Sequence, residues 1–215
     1  MPDSTYRRDG FALSAAVGVV GLTFGVFAST SGLTLLQAMA LSGLTFTGAS
    51  QFAFVTVIAA QGTVIAATVG ALILAMRNTL YGPALTEYLP AAGWRRAGTA
   101  HFIIDETTAM ALAHRNDAQR SYWWTALWLY SFWNVGTLIG HLGASRIGDP
   151  AAFGLDAAFP AAFLAMLIPL LRSRRITLVA VAAAVIAVGS VPFVPAGVPI
   201  LLAALGVLAG RGMAK

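Results

Sequence analysis

A chain of 215 residues that is 58% hydrophobic and only 10% charged, with a mean hydropathy of +0.79, does not have the composition of a water-soluble globule. Its apolar runs recur along the whole length, so it reads as an all-α polytopic membrane protein. The net charge of +5 arises from Arg and Lys in short polar segments, a positive-inside pattern rather than a nucleic-acid surface. The absence of cysteine excludes disulfides, thiol catalysis and cysteine-ligated metals.

Residues 1–10 form a polar tail, expected on the cytoplasmic side. The apolar run 11–29 exceeds a signal-peptide core and is followed by further spans, so it is expected to be a retained first helix. Its Gly21 and Gly25 form a small-xxx-small pair that lets another helix approach closely, either within the chain or from a second subunit. Residues 33–60 as one helix would run roughly 42 Å, against a hydrocarbon core of about 30 Å. The small, polar run Phe46-Thr47-Gly48-Ala49-Ser50-Gln51-Phe52 is the expected break, with a long tilted helix as the alternative. A helix broken at mid-depth offers backbone N–H groups and a positive dipole end to a carboxylate, which makes Gly48, Ser50 and Gln51 candidate substrate-binding residues.

The next span, 63–80, carries Arg77 and Asn78 near its far end. Arg77 either snorkels to the interface or pairs with Asp105 or a substrate carboxylate, and Asn78 is a further binding candidate. Residues 82–97, with Tyr88 and Trp94, fit the membrane interface. Residues 98–114 are expected to form one helix with Asp105 and Glu106 near its middle, where an ionisable group costs roughly 2.5 kcal/mol or more. On a continuous helix His101, Asp105 and Thr108 share a stripe, and Glu106 points about 100° away. Beyond Arg115, Asp117 and Arg120, the aromatic belt Tyr122-Trp123-Trp124 opens a span to about His141. That span carries Tyr130, Asn134, Thr137 and His141 at i, i+4, i+7 and i+11. This stripe wants a polar partner, expected to be Asp105, His101 or the broken helix, although interhelical glue is a sufficient role for it. Residues 156–171 form another span, with Asp156 as its N-cap, and Arg172, Arg174 and Arg175 mark the cytoplasmic side. A final pair, 176–191 and 195–209, lacks ionisable side chains and leads to a cytoplasmic tail, 210–215. The count is about eight spans, with seven as the alternative, in one transmembrane domain covering 11–209. An inside N-terminus places nine Arg and Lys residues inside against three outside, as the positive-inside rule requires. The three histidines, His101, His114 and His141, lack zinc-helix spacing, so no metal or other cofactor is expected. No internal repeat stands out.

Four stretches together resemble one family. FTGASQF, residues 46–52, is similar to the G-A-S-Q signature of the AzlC-type branched-chain amino acid exporter (LIV-E) family. GVVGLTFGVFA in the first span, FIIDETTAMA around the acids and FGLDAAFPAAFLAM from Phe153 follow in the same order. The family's Asn-x-Arg-His/Tyr corresponds here to Ala75-Met76-Arg77-Asn78, which keeps the arginine and lacks the asparagine. The resemblance implies the large subunit of a two-component secondary transporter in the bacterial inner membrane, exporting valine, leucine, isoleucine or methionine with a small AzlD-type membrane partner. The Gly21/Gly25 face is the first expected contact for that partner. Without a Walker motif an ion gradient is the expected drive, with Asp105 and Glu106 as proton-coupling acids assisted by His101 and His141. Residues 48–51 would hold the substrate carboxylate, and an acid or Asn134 its ammonium. A passive channel using the acids as a selectivity ring is the alternative. An enzyme is not expected, since Ser50 and His141 are the only tempting nucleophile and base.

Overall fold

The computed structural model describes residues 5–144, 173–194 and 198–213, with residues 146, 164, 168 and 171 as isolated points. The span expected at 156–171, the Asp156 cap, Arg172, Pro195 and Lys215 lie outside the described residues. Among those described, every regular element is helical: α1 (Thr5–Thr30), α2 (Leu35–Ala40), α3 (Ala49–Ala59), α4 (Val64–Ala75), α5 (Tyr81–Leu85), α6 (Trp94–His101), α7 (Asp105–Ala113), α8 (Ala118–Ala144), α9 (Arg174–Ser190) and α10 (Val198–Ala203). By length and hydropathy alone, two helical runs among them suffice to cross a membrane, Thr5–Thr30 and Val64–Leu85.

The α1 helix starts six residues before the apolar run expected to begin at Phe11, because its first turns are tied down. The Tyr6 side chain is buried, and the Trp124 indole of α8 donates to the Arg7 carbonyl at 3.0 Å. α2 follows a reciprocal capping box: the Gln37 amide N–H donates to the Thr34 hydroxyl, and the Thr34 N–H donates to Gln37 Oε1 at 2.8 Å. It continues through a π-helical turn, Leu41–Thr45. α4 runs through a 3₁₀ turn, Met76–Leu80, into α5.

The frame is the α1/α8 pair, the most extensive helix contact among the described residues. The helices run parallel, since contacts advance together from Gly10 at Thr125 to Gly25 at Thr137. Backbone meets backbone along the seam. A methyl group on Gly21 would lie 2.8 Å from the Trp133 carbonyl oxygen, and one on Gly140 would lie 2.0 Å from that of Leu22. Gly21 and Gly25 therefore pack against α8 of the same chain. The face first expected for a second subunit is already occupied. Against this frame a core of Phe24, Phe46, Phe52, Val55, Ile104, Leu129 and Trp133 holds the two broken segments in place.

The sequence reading of 98–114 as one helix is corrected. α6 ends at His101 and α7 begins at Asp105, with Ile104 extended at φ −134°, ψ 177°. Thr107 makes the break. Its hydroxyl donates to the Phe102 carbonyl at 2.6 Å and accepts the Ile104 N–H at 3.2 Å, offering the backbone a local alternative to helical hydrogen bonds. The β-branched pair Ile103-Ile104 suits an extended backbone. Asp105 and Glu106 then fall in the first turn of α7, where the helix dipole favours negative charge. The shared stripe of His101, Asp105 and Thr108 does not exist.

Candidate functional site

The expected break near Gly48 is present, at Phe46-Thr47-Gly48. Gly48 adopts φ +59°, ψ −90°, a conformation closed to side-chain-bearing residues. Gln51 spans the gap: its Nε2 donates to the Leu41 carbonyl at 2.5 Å, and its Oε1 accepts the Gly48 N–H at 3.2 Å. Thr47 and Ser50 bond through their hydroxyls. The two breaks are thus built alike, each secured by the third residue of the helix that follows it, Gln51 for α3 and Thr107 for α7. In α3 the Gln51 N–H returns to the Gly48 carbonyl at 3.0 Å, so the N–H groups of Ala49 and Ser50 are the ones the helix leaves without an intrahelical acceptor.

Both breaks face one cavity of about 190 Å³, smaller than the roughly 300–1,000 Å³ of drug-sized ligand sites. Its walls come from the two breaks, from α1 through Val17 and Val20, and from α8 through Leu129 and Trp133. Arg77, Asp105 and Glu106 supply its charged groups. Arg77 Nη2 lies 2.8 Å from Asp105 Oδ2, and the Tyr81 hydroxyl donates to Asp105 Oδ1 at 2.5 Å. Arg77 does not merely snorkel. It is the charge partner of Asp105, with both side chains about one-third exposed (35% and 28%). Among the described residues no ion pair is found for Glu106.

The candidates otherwise divide by location. Gly48, Asp105, Glu106 and Arg77 line the cavity, whereas the amide of Gln51 and the hydroxyl of Ser50 are committed to the break itself. Asn78 faces a larger, open groove of about 950 Å³ between the end of the α4–α5 run, the 86–93 loop and α6, together with Arg96 and Ile103. Its buried Oδ1 has no hydrogen-bond partner.

The polar stripe of α8 meets the first half of the broken helix rather than the acids. Tyr130 donates to the Gly43 carbonyl at 3.4 Å, Ser42 donates to Thr137 at 3.1 Å, and His141 Nε2 lies 2.9 Å from the Leu33 carbonyl oxygen. Asn134 Nδ2 donates to the Tyr130 carbonyl of its own helix at 2.9 Å. His101 packs against the rings of Phe46 and Tyr130, at 6.2 and 6.3 Å between centroids. Neither histidine touches the acids, because the α6/α7 break carries Asp105 away from His101 and His141 sits at the opposite end of the stripe.

Three residues at the site escaped the sequence reading: Tyr81, Thr107 and Trp133. Tyr81 had a usable signal, four residues after Arg77 and so one helical turn along the same face. Thr107 had a weaker one, three residues after Ile104 at capping-box spacing. Trp133 had none, being one aromatic among several on an apolar helix.

A family model described as AzlC protein matches residues 12–147. Among curated proteins the chain is similar to an uncharacterized membrane protein of Archaeoglobus fulgidus, 32% identical over 77% of this chain and 74% of the relative. It is also similar to the inner membrane protein YgaZ of Escherichia coli, 30% identical over 75% of this chain and 70% of the relative. An uncharacterized membrane protein of Helicobacter pylori is 25% identical over 69% of this chain. The match spans 66% of that relative, just under two thirds of its length. No solved structure matches the chain.

Proposed function

The chain belongs to the AzlC family of membrane proteins, and on that premise we propose that it is the large subunit of a proton-coupled secondary transporter. Its substrates are branched-chain or similar neutral amino acids, namely valine, leucine, isoleucine and methionine, exported across the bacterial inner membrane. The observation that carries this reading is the convergence of two helix breaks, two acids and an arginine on one small, otherwise apolar cavity. A zwitterion with an aliphatic side chain needs that combination. The N-terminus of α3 receives the carboxylate, Glu106 receives the ammonium, and Val17, Val20 and Leu129 receive the side chain.

Coupling follows from the pairing of Asp105. While ionised it holds Arg77 and Tyr81, and Arg77 and Ile104 line the cavity while their chain neighbours Asn78 and Ile103 line the groove, which supports a barrier at this pair. A proton on Asp105 neutralises the carboxylate, releases Arg77 and opens that barrier. Asn78 is then the first polar contact for substrate leaving toward the groove. The parallel course of α1 and α8 supports three crossings between them, in a chain of about eight spans with its N-terminus inside. The groove then opens to the outside. The small AzlD-type subunit stays in the proposal, docked elsewhere than at Gly21 and Gly25.

The test is efflux of preloaded labelled valine, leucine, isoleucine and methionine from cells expressing the chain with and without a small partner subunit. Saturable efflux that requires both proteins, and that stops with a protonophore or with Asp105→Asn, is expected. Unchanged amino-acid flux with a raised membrane conductance would replace this reading with a channel.

A further inference from the structure

Glu106, Met110 and His114 recur at i, i+4 and i+8, on one face of α7 and of the turn that closes it. Each of them meets α1. Glu106 shares the cavity wall with Val17, Met110 Cε lies 3.7 Å from where a methyl group on Gly10 would stand, and His114 Nε2 lies 3.8 Å from Asp9 Oδ2, its ring edge-on to Tyr6 at 6.3 Å. α7 therefore runs antiparallel to α1, and their seam leads from the cavity to the polar N-terminal segment. α8 closes the third side, and it brings a hydroxyl. Ser14 and Thr125 are both fully buried in this seam. Ser14 donates to the Gly10 carbonyl at 2.6 Å and lies 3.5 Å from the Thr125 carbonyl oxygen. Thr125 Oγ1 stands 2.7 Å from the same methyl position on Gly10, yet has no hydrogen-bond partner. A hydroxyl so placed is a loss that a native interior makes good with water.

At the far end the seam reaches solvent: the His114 side chain is 14% exposed and that of Asp9 41%. From α1 His114 faces Asp9 and Tyr6. Arg115 and Asp117 follow on its own turn, Asp9 also meets Arg8 at 3.2 Å, and Asp117 meets Arg120 of α8 at 3.2 Å. An acid, buried hydroxyls and a histidine in sequence are the makings of a proton relay through a membrane protein. Coupling that admits a proton at Asp105 from the groove requires a separate exit, or the acid could not recharge. We propose that the α1/α7/α8 seam is that exit, with Ser14 and Thr125 relaying the proton from Glu106 to His114, and Asp9 passing it to the cytoplasm. This rests on the transport reading above. Asp105 hands its proton to Glu106, the next residue of the same turn. The Glu106 O–H breaks as a ring N–H of His114 forms, each hydroxyl and intervening water giving up one proton as it gains one. The imidazole releases a proton through water to Asp9 and the bulk, which leaves a Glu106 carboxylate and a neutral ring. Met110, flexible and unbranched, yields to let water pass.

The experiment uses the purified full chain in proteoliposomes loaded with labelled leucine, together with the small partner subunit if wild-type efflux needs it. Two rates are compared: net efflux driven by an acid outer medium, and exchange of leucine for leucine at equal pH. Exchange moves the substrate-loaded protein both ways and needs no proton step, so a relay residue matters to net efflux alone. His114→Ala, His114→Gln and Thr125→Val are each expected to lose net efflux by about tenfold or more while exchange holds. Thr125→Ser should behave as wild type, and imidazole buffer should restore net efflux to His114→Ala by standing in for the missing ring. Net efflux that survives either His114 substitution or Thr125→Val, or exchange that falls in step with it in both His114 variants, overturns the relay and leaves the transport reading standing. A wild type with neither efflux nor exchange of leucine overturns both.

Discussion

Gly25→Ala probes the α1/α8 seam most directly. A methyl group at position 25 would stand 2.1 Å from the Thr137 carbonyl oxygen and 2.7 Å from the His141 nitrogen. The first distance falls about 1.3 Å short of the 3.4 Å at which ordinary van der Waals contact begins. Both obstacles are backbone atoms of a 27-residue helix, so no side chain can swing aside and the two helices must part by about 1 Å. A radial gap of 0.5–1 Å already forfeits a quarter to a half of each dispersion contact along the seam. Overpacking of this kind costs typically 1–3 kcal/mol, and with the seam opened we expect about 3 kcal/mol. For a chain of this size that lowers the melting temperature by about 6–12 °C, read by thermal unfolding of the detergent-purified protein. Gly70→Ala is the matched control: nothing lies within 4 Å of its added methyl, and the better helix propensity of alanine should leave stability unchanged or slightly raised. Equal melting of the two variants, or a Gly25→Ala defect confined to assembly with a small subunit, would refute the intrachain seam and return this face to a partner.

Other outcomes follow from the two breaks and the ion pair. Gln51→Leu strips partners from the Leu41 carbonyl and the Gly48 N–H, and should lower stability by about 2 kcal/mol or more; Gln51→Glu, which sets a buried carboxylate oxygen against the Leu41 carbonyl, should lose at least as much, both read by thermal unfolding. Thr107→Val keeps the side-chain shape but removes the hydroxyl that secures the second break. It should cost about 1–2 kcal/mol, with Thr107→Ser near wild type; no difference between the two would remove Thr107 as the cause of that break. Since the chain has no cysteine, single thiols report accessibility cleanly. Thr79→Cys in the groove should react with a membrane-impermeant thiol reagent whether or not Asp105 is intact. Ala49→Cys in the cavity should react severalfold faster once Asp105→Asn has broken the pair with Arg77. Equal rates at position 49 would mean that the pair bars nothing.

How far the fold was legible depended on whether a break interrupts the hydrophobic pattern. The one at Gly48 does, because a glycine that only a positive φ can use sits among threonine, serine and glutamine, inside a run too long for one crossing. The one at Phe102-Ile103-Ile104 does not. Its residues are apolar, they continue the hydrophobic run, and the group that breaks the helix, the Thr107 hydroxyl, lies beyond the break. Reading through it put His101 and Asp105 on a common face and suggested a histidine–acid relay that tertiary structure separates. The stripe of Tyr130, Asn134, Thr137 and His141 was legible as a stripe, since helical spacing alone defines it. Its partner was legible only in part: the broken helix, one of the three partners expected, does meet the stripe at Gly43 and Ser42, whereas Asp105 does not, because helical spacing alone does not say which neighbour a face meets. Small-residue spacing likewise marked Gly21 and Gly25 as a contact and left open with what.

In mechanical terms the seam of α1 and α8 is a keyed joint. At Gly21, Gly25, Gly136 and Gly140 the seam is notched to admit a backbone carbonyl of the other helix, so the pair fits in a single register. Translating α1 by one residue's rise, about 1.5 Å, takes Gly25 off the Thr137 carbonyl, and the next notch, at Gly21, lies about 6 Å along the axis. The pair therefore cannot ratchet. Motion around the cavity is left to the two jointed segments, whose bends turn on the side chains of Gln51 and Thr107, swinging against a wall that does not slide.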